Sequence, residues 1–119
     1  MVNIIAEAGV NHFGSFTLAV KLIDAAKNSN ADFIKFQLID ESEVYAPGSY
    51  EYGTYDIEEV RKQRRESRFS MPELIQVFNY SHSLGIPASA TPFGLTALEQ
   101  LISLNPPFIK IASGDINFY

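Results

Sequence analysis

Two lysines stand inside otherwise apolar runs, Lys35 in Asp32-Phe33-Ile34-Lys35-Phe36-Gln37 and Lys110 in Phe108-Ile109-Lys110-Ile111-Ala112-Ser113. Lysine is among the residues least often buried, so two such placements require an anionic or carbonyl partner. If each run is a strand, Lys35 and Gln37 share one face while Ile34 and Phe36 take the other, and Lys110 is separated from Ile109 and Ile111 in the same way. Each segment then presents an ammonium group opposite its large aliphatic residues, a pattern that builds a site. The ordinary alternative for a strand lysine is an edge position with a snorkelling side chain. Glu7 closes another apolar run, where burial would raise its pKa and suit it to proton transfer. A carboxylate paired with Lys35 or Lys110 only to neutralise the site is the other reading. Thr91 ends a further run with a hydroxyl donor, although a threonine before proline is also a common strand terminator.

The elements that must position these groups alternate between strand and helix. Residues 3–8 read as a first strand, followed by a loop and a helix over about 18–28 with Ser15 or Thr17 as cap and Leu18, Leu22, Ile23 and Ala26 as its inward stripe. A second strand covers 32–37. Residues 38–69 form a longer connection whose Tyr, Pro and Gly content argues against regular structure in its first half; a functional lid and a surface insertion both fit it. Ser70-Met71-Pro72-Glu73 is a capping-box helix start, the helix runs to about residue 84 with Leu74, Ile75 and Phe78 inward, and Gly85 is placed for the left-handed stop. A third strand over 86–91 follows. Pro92-Phe93-Gly94 leads into a short helix to about residue 104, with Leu98, Leu101 and Ile102 inward, and a fourth strand covers 108–113.

Strict alternation implies an α/β fold with a parallel sheet and right-handed crossovers. Polar residues recur near the carboxyl end of each strand, as Glu7, Lys35 with Gln37, Thr91, and Lys110 with Ser113. In a (β/α)8 TIM barrel those positions converge on one mouth, whereas in a doubly wound sheet they spread along an edge. No strand-to-helix turn carries a dinucleotide fingerprint. The expected fold is therefore the amino-terminal half of a (β/α)8 barrel, four parallel strand-helix units in 119 residues, with the rest of the barrel and any further domain absent.

Composition narrows the function classes. A net charge of -5 argues against general nucleic-acid binding, and the chain has no cysteine for a disulfide or thiolate metal site. Apolar runs are too short for a signal peptide or membrane span, so a cytoplasmic location is expected. The basic cluster from Arg61 to Arg68 lies beside Asp56, Glu58 and Glu59. It reads either as a salt-bridged helical face or as a contact for an anionic partner.

Ile5-Ala6-Glu7-Ala8-Gly9-Val10-Asn11-His12-Phe13-Gly14, then Ala31-Asp32-Phe33-Ile34-Lys35-Phe36-Gln37, then Ala90-Thr91-Pro92-Phe93, then Ile109-Lys110-Ile111-Ala112-Ser113-Gly114-Asp115 occur in this order. Together they resemble the amino-terminal half of the sialic acid synthase family, including its legionaminic and pseudaminic acid relatives. The resemblance implies condensation of phosphoenolpyruvate with an N-acetylated amino sugar, assisted by a divalent metal, usually manganese. It places Lys35, Thr91, Lys110 and Ser113 on phosphoenolpyruvate, Glu7 and Gln37 in catalysis, and Asp115 and Asn11 at the amino sugar. The metal ligands, histidines in the family's later half, are expected beyond residue 119, and a full-length homo-oligomer is implied. The chain departs from the family at Asp115, where glutamate is usual, and in the tyrosine-rich stretch 45–55, where an asparagine normally contacts the sugar. The rival readings are a Schiff-base aldolase using Lys110 and a non-catalytic half-barrel that binds a phosphorylated ligand.

Overall fold

A computed structural model describes residues 2–117. The elements are β1 (Ile5–Gly9), α1 (Phe16–Asn28), β2 (Phe33–Ile39), α2 (Glu41–Val44), β3 (Glu51–Tyr52), β4 (Tyr55–Asp56), α3 (Ile57–Glu66), α4 (Met71–Ser83), β5 (Ala88–Phe93), α5 (Leu95–Ser103) and a 3-10 turn at Ser113–Asp115. The period of two in β2 is realised in full: Ile34, Phe36 and Leu38 are buried, while Phe33, Lys35, Gln37 and Ile39 on the other face stay part-exposed. β2 lies between β1 and β5 and is parallel to both. Register sets Glu7 beside Lys35, Lys35 beside Ser89, and Gln37 beside Thr91.

Helices α1, α4 and α5 close over the apolar face. Their contribution to the core is Ala19, Ile23 and Ala26 from α1, Leu74, Val77 and Phe78 from α4, and Ala97 and Leu101 from α5. This corrects the inward stripes: Leu18, Ile75 and Ile102 are exposed. Small residues at Ala19, Ala26 and Ala97 let the helices approach the sheet closely, and that approach turns the neighbouring larger side chains outward. α1 starts at Phe16, earlier than expected, with Ser15 Oγ accepting from Leu18 N at 3.3 Å. The capping box at Ser70 and Glu73 forms as expected.

Each long sheet-covering helix returns to the sheet through one residue in the left-handed region, Asn30 (φ 58°), Gly85 (φ 67°) or Asn105 (φ 51°). After α1 and α4 the next amide reaches back to seal the end, Ala31 N to Ala26 O and Ile86 N to Ser81 O, each at 3.2 Å. Pro106 has no amide hydrogen to do this after α5.

The fourth strand is corrected. Residues 108–113 make one isolated parallel bridge, Ala90 to Ile109, with Lys110 N donating to Ala90 O at 3.2 Å, and Ser113 already begins the 3-10 turn. Among the described residues this segment is bonded to the sheet from the β5 side alone, and Pro106 and Pro107 remove two donors just before it. The connection 38–69 holds more regular structure than its composition suggests: the short α2, a two-residue pairing of β3 with β4, and α3. No helix among the described residues is long and apolar enough to cross a membrane.

Ile34 is fully buried at the centre of this core. Ile34→Ala is expected to lower unfolding stability by about 2–5 kcal/mol, seen as a lower urea midpoint with an unchanged slope.

Candidate functional site

The sheet face opposite the core carries the site. At its centre the Lys35 ammonium lies 2.5 Å from Glu7 Oε2 and donates to Thr91 Oγ1 at 3.1 Å. The three residues come from three adjacent parallel strands: Glu7 is the register partner of Lys35 on β1, and Thr91 lies two residues beyond its partner Ser89 on β5, on the same face. The Lys35 side chain is only 13 % exposed and Thr91 only 4 %, so the ammonium is largely withdrawn from water and held by one carboxylate and one hydroxyl. Glu7 differs from its expectation. Its side chain is 49 % exposed, so the desolvation expected for a strand-end carboxylate is absent, and its pairing with Lys35 dominates.

Gln37 follows Lys35 by one strand period on the same face and pairs in register with Thr91. Ser89, fully buried on this face, was not singled out from the sequence; its hydroxyl donates to Phe108 O and fastens the 108–113 segment to the sheet. The signal for it was its place two residues before Thr91.

Lys110 reaches the sheet through its backbone, but its ammonium folds onto the carbonyl of Ile111 and is not brought to Lys35. It is exposed, so the desolvation that would make a strand lysine a nucleophile is absent. With Asp115, Lys110 instead lines an open groove whose other walls include Glu43, Pro92, Phe93 and Leu95. Ser113 is exposed at the start of the 3-10 turn. Asn11 is committed to its own loop, its Nδ2 donating to Ala8 O at 3.1 Å.

His12 is a core residue. It stacks on Phe69 at 4.2 Å, meets Phe36 edge-on at 5.9 Å, and accepts from Gly14 N at 3.1 Å through Nδ1. Burial pushes its pKa down to about 4, so the ring is neutral and carries its proton on Nε2. Among the described residues no group of three or more His, Cys, Asp or Glu gathers to hold a metal, and the carboxylate nearest the mouth is engaged by the Lys35 ammonium. This donor set does not fit a divalent cation.

The basic cluster divides between two roles. Arg61, only 12 % exposed, donates to Gly48 O at 2.9 Å and to Ala46 O, pairs with Glu58, and lies over the Tyr50 ring at 5.7 Å. It is the staple of the tyrosine-rich stretch. Arg68 and Arg65 instead bind α2: Arg68 reaches Asp40 Oδ2 at 3.0 Å and Arg65 reaches Glu41 Oε1 at 2.9 Å. The Ser42 hydroxyl and amide, with a smaller share from Arg68, hold the Asp40 carboxyl below the usual carboxylate range against its partial burial.

The profile of the NeuB family matches residues 22–119. The chain belongs to the NeuB family. Among its NeuB-related proteins, the N,N'-diacetyllegionaminic acid synthase of Legionella pneumophila is 36 % identical over 124 residues, taking in 95 % of this chain and 33 % of that protein. The human N-acetylneuraminate-9-phosphate synthase is 32 % identical over 123 residues, covering 96 % of this chain and 33 % of that one. In structure, the N-acetylneuraminic acid synthetase of Leptospira borgpetersenii superposes with a TM-score of 0.81 at 34 % identity over 97 % of this chain and 37 % of its own. The NeuB-family chain thus spans about a third of the length of the curated relatives it matches. Its parallel α/β arrangement is that of the corresponding portion of a barrel synthase, with the fourth strand reduced to a single bridge.

Proposed function

We infer that this chain supplies the phosphoenolpyruvate-facing part of a nonulosonic acid synthase. The observation that carries the reading is Lys35, held nearly dry between Glu7 and Thr91 across three adjacent parallel strands. A dianion with phosphate and carboxylate groups suits an ammonium and a hydroxyl fixed in advance, because such groups stabilise charge without reorganising. In this reading the methylene carbon of phosphoenolpyruvate forms a bond with the aldehyde carbon of an open-chain N-acetylated amino sugar. Water then adds to the former enol carbon, phosphate leaves, and a nonulosonic acid results. Lys35 and Thr91 hold the phosphoenolpyruvate, Gln37 offers a neutral hydrogen bond beside it, and Glu7 stands ready to exchange a proton at the mouth. Lys110, Ser113 and Asp115 would join only after Lys110 leaves the Ile111 carbonyl. A divalent metal, manganese by family resemblance, belongs to the proposal for the whole enzyme; among the described residues no centre for it is formed.

The test is phosphate release by the full-length protein with phosphoenolpyruvate and N-acetylmannosamine, or another N-acetylated hexosamine, in manganese. Release that requires both substrates is expected. Its absence with every acceptor, or a borohydride-trapped pyruvate adduct on Lys110, would overturn the reading.

A further inference from the structure

Helix α5 has no cap of its own. Gly94 occupies the capping position without a side chain, and the free amides of Leu95 and Thr96, with the Thr96 hydroxyl, all donate to the carboxylate of Glu43, which lies 52 and 53 residues earlier in the chain. An amino-terminal helix end leaves donors that a nearby side chain normally takes, and a carboxylate there also suits the helix dipole. Here a remote carboxylate does that work. The contact depends on Gly94: its φ is 98°, and a Cβ built there would sit 2.5 Å from Glu43 Oε2 and 2.9 Å from Glu43 Cβ. The start of α2 is also held by Asp40 on Arg68 and Glu41 on Arg65, and the stretch that follows it toward the hairpin of β3 and β4 is held to α3 by Arg61. Glu43 also forms a wall of the groove lined by Lys110 and Asp115, and Gly94 joins the end of β5 to α5.

We propose that Glu43 is a positioning residue, a latch that ties the tyrosine-rich excursion to the first turn of α5 and so sets the width of the groove beside Lys110 and Asp115. Its consequence for catalysis rests on the synthase reading; the latch itself does not.

Hydrogen exchange of the full-length protein without substrates, in wild type, Glu43→Ala and Glu43→Gln, tests the latch alone. In Glu43→Ala, amides in 41–56 are expected to exchange about tenfold faster, the size of a lost capping interaction, while 33–39 and 88–91 keep their protection. Glu43→Gln, which keeps an acceptor oxygen, should recover at least part of that protection. Faster exchange confined to 95–98 would reduce Glu43 to a local cap and overturn the latch, as would loss of protection in the sheet. The catalytic consequence is read separately, as a rise in KM for the amino sugar that exceeds any fall in kcat. A synthase that shows the exchange change without the KM change keeps the latch and removes its role in substrate binding.

Discussion

Lys35→Met in the full-length protein is expected to lower kcat/KM for phosphoenolpyruvate by about 10²–10³-fold while thermal unfolding moves by only a few degrees. The size follows from placement. The ammonium is fixed by Glu7 and Thr91 and is largely out of water, where a preset charge stabilises a developing anion far more than it would in solution. Methionine fills the volume of the lysine stem, and the partner left behind, Glu7, is half exposed and regains water, so no buried charge is stranded. Lys35→Arg should restore only part of the activity, because a planar fork does not replace a compact point charge between one carboxylate and one hydroxyl. A value for Lys35→Met within about threefold of wild type would make the Glu7–Lys35–Thr91 group a structural element and nothing more.

Acid should destabilise the protein in a window that belongs to His12. In the unfolded chain the imidazole binds its proton below about pH 6.5, whereas in the fold it stays neutral down to about pH 4. The unfolded state therefore holds more protons throughout that interval, so stability rises with pH across it. The contribution is complete above pH 6.5 and is lost as pH falls towards 4, amounting to about 3 kcal/mol. The cause is the apolar slot between Phe69 and Phe36, which accepts a neutral ring. Asp40, Glu43 and Glu73, whose carboxyls are held low by hydrogen bonds, lose their contributions only as pH falls below the ordinary carboxylate range, so the two regimes separate. Urea unfolding from pH 7 to 4 should show the loss in wild type and a much flatter profile in His12→Asn. Equal slopes in both proteins would remove the assignment.

Much of the sheet was readable because β2 announces both of its faces. Ile34 and Phe36 point one way and Lys35 and Gln37 the other, and the parallel register sets Glu7 beside Lys35 and Thr91 beside Gln37, within reach of the Lys35 side chain. Lys110 was half readable. Its backbone meets β5 where expected, yet its side chain does not join Lys35, because residues 108–113 are bonded from one side and the ammonium takes the nearest carbonyl. The helical stripes were misphased at Leu18, Ile75 and Ile102, since hydropathy ranks alanine too low to reveal that Ala19 and Ala97 set the contact. Local pattern also cannot tell which of many carboxylates will serve a helix 52 residues away, or that one arginine of a basic run will be consumed by carbonyls at Ala46 and Gly48. These contacts depend on the closed fold, and periodicity carries no trace of them.

The left-handed residues that end α1, α4 and α5 bear on how such a scaffold tolerates change. After α1 and α4 the return places the next strand one short step after a sealed helix end, as Asn30 does before β2 and Gly85 before β5. Adding one residue to such a return would break the seal and turn every following side chain to the opposite face of the sheet. Adding residues at the other end of the strands changes no register, and the long excursion between β2 and α4 is an addition of that kind. Length variation among natural relatives should therefore collect at that end and be purged from the returns, so that the connections there vary while the arrangement around Lys35 stays in phase.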